Sequence, residues 1–202
     1  MTDYDPIEGT TDEELARLAR AGSGRSFEEL ARRYKRRLFV YLRPRVGSDE
    51  DAEDLVQDTF LKLYRSIGSY DPAFRFSTWL YTSAGRLAID AYRRNAASRD
   101  KLAAESAAEL PDPASDHDRD PRLSGLWAAA RGLGANRFRV LWLRYGEDLS
   151  IEEIAAVLGR TKLAVRILLH RARTSLMKTA GPSPARTVAP AKAADARGAR
   201  SG

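Results

Sequence analysis

The residues of this chain best suited to chemistry are basic, acidic and aromatic, and they recur at helical spacing. In Lys162 to Arg173, KLAVRILLHRAR, the residues Lys162, Arg166, His170, Arg171 and Arg173 fall on one side of a helix. Val165, Leu168, Leu169, Ala172 and, further on, Leu176 fall on the other. A basic helix face can neutralise phosphates and place donors in a DNA groove. A second set is acidic: Asp49, Glu50, Asp51, Glu53, Asp54 and Asp58. It can bind a cation, as in a metal-dependent nuclease, meet arginines on a partner, or form a solvated face. Asp49 and Glu50, at a helix start, suit the helix dipole. No histidine or ligand loop accompanies the acids, so no metal and no cofactor is expected.

The elements that must position these residues are helices. Ser150 followed by Glu153 is a capping box, Ile154, Ala155 and Leu158 give an apolar face, and Gly159 suits the helix end. Thr161 then caps the basic helix. Short helix, tight turn and basic helix make a helix-turn-helix, although two packed helices of any small bundle share that pattern. Upstream, Thr11 and Glu14 predict another capping box, opening a helix with Leu15 and Leu18 inward. Ala21 to Gly24 breaks it, and Ser26 with Glu29 predicts a longer helix ending near Pro44. A third helix is predicted from about Asp49 to Ser66, and a fourth from near Ser77 to Arg94, with the loop Gly68 to Pro72 between them. Trp79 and Leu80 read as core. No strand pattern interrupts, so the expected fold class is all-α.

Charge is unevenly spread. The 202 residues carry 34 Lys+Arg against 28 Asp+Glu, a net of +6, and the pI is about 9.7. From Leu133 to Lys178 there are nine basic and four acidic residues, so most of the excess lies beside the basic helix. From Ala96 to Pro121 there are seven acids, three bases and three prolines, the composition of a flexible linker. Absence of cysteine excludes disulfides and thiolate metal sites. No run of about 18 apolar residues occurs, and the first residues, MTDYDPIEGTTDEEL, are acidic rather than signal-like. These features predict a cytoplasmic protein with no membrane insertion. The expected organisation is a disordered N-terminus over 1–10, a helical domain over 11–95, an acidic flexible linker over 96–121, a helix-turn-helix domain over 122–179 and a disordered tail over 180–202.

Two segments together carry a family resemblance. DAEDLVQDTFLKLYRS (Asp51 to Ser66) followed by FSTWLYTSAGRLAIDAYRR (Phe76 to Arg94) resembles region 2 of the bacterial sigma-70 superfamily. DLSIEEIAAVLGRTKLAVRILLHRAR (Asp148 to Arg173) is similar to region 4. Their order and the linker between them resemble the group-4, extracytoplasmic-function (ECF) sigma factors. The resemblance implies no enzyme activity. It implies binding of core RNA polymerase, through the beta-prime and beta subunits, promoter-specific initiation of transcription, and an anti-sigma factor as second partner. The polymerase surface would comprise Asp54, Leu55, Gln57, Asp58 and Phe60. The minus-ten element would be opened and held by Tyr70, Phe74, Arg75, Phe76, Arg86, Arg93 and Arg94, with the aromatics stacking on bases and the arginines on phosphates. The minus-thirty-five element would meet Lys162, Arg166, Ile167, His170, Arg171 and Arg173. Within that set Arg166 can read a guanine edge with two bonds, Ile167 can meet a thymine methyl, and Lys162 and Arg173 suit phosphates.

The chain departs from the family pattern at three places. Arg86, preceded by Gly85, stands where many members carry an asparagine near the base pocket. Leu133 and Gly134 replace the usual Leu-Pro before the helix pair. The reading helix has Leu163, Ala164, Val165, Arg166, Ile167 and Leu168 in place of Gly-Thr-Val-x-Ser-Arg. Leu163 and Ile167 therefore motivate an alternative: a sigma-like DNA-binding regulator whose region 4 has become a protein-interaction module.

Overall fold

The computed structural model describes residues 9–99 and 121–180. Residues 1–8, 100–120 and 181–202, which hold most of the expected linker and most of both expected disordered ends, lie outside the described residues, and Ala180 closes α8. Every regular element described is helical. The first half comprises α1 (Asp12–Arg20), α2 (Gly24–Leu42), α3 (Asp49–Arg65) and α4 (Phe76–Arg99). The second comprises α5 (Pro121–Arg131), α6 (Ala135–Leu141), α7 (Ile151–Leu158) and α8 (Lys162–Ala180). No helix of the described residues is long and apolar enough to cross a membrane.

Local chemistry sets most boundaries. Thr11 accepts from the Glu14 amide at 3.2 Å, but the reciprocal half of the box is absent because the Glu14 carboxylate takes Arg17 instead. Helix α2 starts two residues before the expected Ser26. Ser23 is its cap, accepting from the Ser26 amide at 3.3 Å, and Glu29 is drawn to Arg32 and Arg33. Ser48 caps α3, whose first turn holds Asp49, Glu50 and Asp51 at the positive end of the dipole. Helix α4 starts at Phe76 and runs to Arg99, five residues past its expected end.

Leu15, Leu30, Leu38, Leu63, Phe76 and Leu80 are fully buried and join the first four helices. Leu18, expected inward, is exposed at the edge. In the second half Phe138, Leu141, Ile154, Val165 and Leu169 form the core, with Trp127 edge-on to Trp142 at 5.1 Å. A single π-helical turn, Trp142–Gly146, follows α6. A Cβ on Gly146 would meet the Trp142 ring at 3.1 Å, so a larger residue there would have to push the indole back for the chain to close over it. That turn delivers Glu147 inward, with Asp148 at φ 50° behind it.

The helix-turn-helix takes its predicted form. Ser150 accepts from the Glu153 amide at 3.2 Å, and the Glu153 carboxylate takes the Ser150 amide at 2.8 Å. Gly159 adopts the left-handed conformation at φ 60°, and Thr161 accepts from the Ala164 amide at 3.2 Å. Ser150→Ala is expected to cost about 1 kcal/mol of stability, read as a lowered thermal midpoint. An unchanged midpoint would show the cap to be dispensable.

Candidate nucleic-acid interface

Helix α8 presents its basic side outward. Val165, Leu169 and Ala172 are buried and Leu168 is half-buried, while Lys162, Arg166, Ile167, His170, Arg171 and Arg173 are all exposed. The sequence-predicted minus-thirty-five set therefore lies together on one helix. Lys162 is tied to Glu152 at 2.9 Å, a mutually exposed pair that water and salt screen. Arg173 lies over the Tyr145 ring, 5.4 Å from its centroid. Arg166, His170 and Arg171 make no ion pair among the described residues, which leaves their donors available. The exposed side is also apolar in a way that its charge hides. Leu163 is 65% exposed, Ile167 45% and Met177 74%, and with His170 and Thr174 they follow a four-three-four-three spacing.

The minus-ten set divides. Tyr70 and Phe76 are 1% and 0% exposed, so neither offers a free ring face. Tyr70 donates its hydroxyl to the Phe74 carbonyl at 2.8 Å and packs at 5.4 Å on Trp79, while Phe76 packs edge-on to Tyr34 at 5.5 Å. Both rings anchor the loop between α3 and α4 from below. This corrects the expectation that they stack on bases: an aromatic ring at a loop edge is worth more as core than as exposed surface. Phe74, at 61% exposed, is the ring that the loop holds out. Arg75, Arg86 and Arg93 are exposed beside it or along α4. Arg94 continues the same helix, and its side chain lies outside the described residues. Trp79 and Leu80 pack inward, as expected.

The acidic set lies on α3. Asp54, Gln57 and Asp58 are exposed and Phe60 is half-buried, but Leu55 is 5% exposed and supports the helix from beneath. Leu55 is therefore removed from the surface set. Beside these residues α2 and α3 enclose an apolar groove of about 810 Å3. Its walls include Phe39, Val56, Phe60, Leu61 and Tyr64, and Lys35 and Arg36 stand at its rim. Leu61 and Tyr64 are half exposed, an apolar surface beside the acidic residues. The available signal was phase: Leu61 falls outside the Leu55, Val56, Thr59, Leu63 stripe. Among the described residues no group of acidic or histidine side chains is placed to hold a metal.

The two halves also meet each other. Glu147, 2% exposed, accepts from Arg37 at 2.5 Å and from the Tyr81 hydroxyl at 2.6 Å. Burial raises the Glu147 pKa, and the Arg37 charge and the Tyr81 hydrogen bond offset only part of that. Around it Thr78 donates to Glu153 at 3.1 Å, and Arg75 donates to the Asp148 carbonyl at 3.0 Å. Burial opposes the Glu153 charge, yet the Ser150 amide, the Ser150 hydroxyl and Thr78 together hold its pKa below the ordinary value. The contacts place the beginning of α4 directly against α7, with the loop arginine clamped across.

Comparison with known proteins agrees with this architecture. The sigma-70 region 2 family matches residues 30–98, and the sigma-70 region 4 family matches residues 125–176. The RNA polymerase sigma factor CarQ of Myxococcus xanthus is 35% identical over 80% of this chain and 93% of its own length. The ECF RNA polymerase sigma factor BldN of Streptomyces coelicolor is 32% identical over 82% of this chain and 64% of its own, longer, length. Among solved structures, CnrH in complex with the cytosolic domain of CnrY superposes with a TM-score of 0.57 at 28% identity, covering 83% of this chain and 95% of that one. Two helical modules of matching type and order, and relatives at this identity, place the chain in the sigma-70 superfamily, among its extracytoplasmic-function sigma factors.

Proposed function

We propose that this chain directs core RNA polymerase to specific promoters through three separate surfaces. Sigma factors are transcription initiation factors rather than enzymes, and they act with polymerase and promoter DNA in the bacterial cytoplasm. The observation that carries the assignment of surfaces is the outward basic side of α8 on a correctly capped helix-turn-helix. Arg166, His170 and Arg171 enter the minus-thirty-five major groove, while Lys162 and Arg173 position the helix on phosphates. Phe74 stacks on an extruded minus-ten base, and Arg75, Arg86 and Arg93 hold the displaced strand. Asp54, Gln57 and Asp58, with the α2/α3 groove, form the polymerase surface. A partner helix lays its apolar side in that groove while its arginines meet the two aspartates. An anti-sigma factor is the natural second partner; CnrH is held by the cytosolic domain of CnrY in its solved structure.

Run-off transcription with core polymerase and a promoter library randomised at both elements tests this reading. Arg166→Ala is expected to lower specific transcription about tenfold and relax the sequence preference at one minus-thirty-five position. Asp54→Ala combined with Asp58→Ala should weaken core binding and leave duplex DNA binding intact. Absence of core binding by the wild type would overturn the proposal.

The exposed Leu163, Ile167 and Met177 favour a second reading. Their spacing is that of a coiled-coil seam, so region 4 would dock a protein helix instead of DNA. Retained core binding with no minus-thirty-five preference would select it.

A further inference from the structure

The packed halves enclose a cavity of about 360 Å3 between α4 and the helix-turn-helix module. Four arginines from four separate segments line it. Arg45 comes from the turn after α2, Arg86 from α4, Arg139 from α6, and Arg160 from the link between α7 and α8. Asn136 and Thr82 add polar groups, and no carboxylate lines the cavity among the described residues. The arrangement contrasts with the neighbouring Arg37, whose charge is met by Glu147.

Arg45 and Arg139 are only partly satisfied within the cavity. Arg45 makes one long contact, 3.4 Å to the Gly85 carbonyl. Arg139 gives Nε and Nη2 to the Tyr41 hydroxyl at 3.2 and 2.8 Å, a neutral acceptor, and its guanidinium lies over the same ring. Arg139 Nη2 also lies close to Gly85, 3.7 Å from where a Cβ there would stand, in ordinary van der Waals contact. Burial, and then the Arg139 charge, lower the Arg45 pKa to about 10. Like charges converging on a half-buried space with no counter-charge carry an unfavourable energy that a bound anion would relieve. Guanidinium forks match phosphoryl oxygens in geometry as well as in charge. The volume exceeds what a single small anion fills and lies at the lower end for ligand pockets.

We propose that this cleft binds an oligophosphate, either inorganic pyrophosphate or the phosphate tail of a nucleotide, and that by joining guanidiniums of both halves the ligand holds them together. Because Arg86 also belongs to the minus-ten strand surface, the bound ligand and the opened promoter compete for the same side chain.

Calorimetric titration of the full chain with pyrophosphate at physiological salt tests the proposal. Wild type is expected to bind one equivalent, and Arg45→Gln to bind at least tenfold more weakly. Arg160→Gln, at an exposed position, should also weaken binding and serves as the readout if Arg45→Gln fails to fold. Arg65→Gln, an exposed arginine on α3 outside the cavity, should change affinity less than twofold. Titration with ATP separates the sources: at least tenfold tighter binding than pyrophosphate identifies a nucleotide, and equal or weaker binding identifies inorganic oligophosphate. No binding by wild type, or equal weakening by Arg65→Gln and Arg160→Gln, would overturn the proposal.

Discussion

Arg37→Ala should open the molecule. Its guanidinium is the sole positive partner bonded to the Glu147 carboxylate among the described residues, and the glutamate side chain is fully buried in the packed form. Removing one member of a buried pair costs about 3–5 kcal/mol, because the remaining charge is left without compensation. Here the chain has a way to avoid that cost without unfolding, since Glu147 regains water when the two halves separate. About 3 kcal/mol corresponds to a shift of roughly a hundredfold toward the separated arrangement. Small-angle scattering should show a larger radius of gyration, while helix content by circular dichroism stays unchanged. Glu147→Gln should behave differently, because it removes the buried charge and keeps an acceptor for the Tyr81 hydroxyl. Burial raises the Glu147 pKa, so the packed form favours the protonated acid. That contribution is full below the ordinary value of 4.5 and disappears as pH rises through the raised value. Glu147→Gln therefore stays compact at neutral pH. If Arg37→Ala scatters like wild type, the ion pair does not hold the halves together.

The contact between the halves could not be read from the sequence, and the reason is physical. Arg37 and Glu147 are 110 positions apart, and Glu147 looks like any acid preceding a capped helix. Only the π-turn closing over Trp142 turns it inward, and that turn depends on a packing contact at Gly146. The helix-turn-helix was legible because its signals are local. Ser150 with Glu153, Gly159 and Thr161 each act within four residues, and the apolar period fixes which side of α8 faces in. The α2 start was misplaced by two residues because Ser23 and Ser26 are both competent caps, and the geometry of the Gly22 turn at φ 105° decided between them. Residue type alone gave no direction for the aromatic residues of the loop between α3 and α4. Phe74 and Phe76 are two apart and identical in chemistry, yet one is exposed and the other has no exposed surface.

That difference sets up the second large effect. Phe76→Ala is expected to destabilise the protein by about 3–5 kcal/mol, the cost of emptying a fully buried aromatic site. The ring is shared among Tyr34, Tyr70 and Trp79, at 5.5, 6.1 and 6.1 Å between centroids, so its loss unpacks α2, the loop and α4 at once. The Tyr70 hydroxyl bond to the Phe74 carbonyl depends on the same packing, and with it the posture of the loop. Phe74→Ala should do the reverse. It removes an exposed ring and should shift stability by no more than about 0.5 kcal/mol. It should nevertheless weaken capture of a single-stranded minus-ten oligonucleotide by holoenzyme about tenfold, the worth of one base–aromatic stack. Thermal denaturation and oligonucleotide binding on both variants separate the roles. A Phe76→Ala protein that melts like wild type but loses the oligonucleotide would make Phe76 the stacking ring and refute its placement in the core. The opposite pair of results leaves a division of labour. In that division the buried rings set the loop's shape and the exposed Phe74 ring meets the base, so substitutions of the same residue type two positions apart would report on folding in one case and on promoter opening in the other.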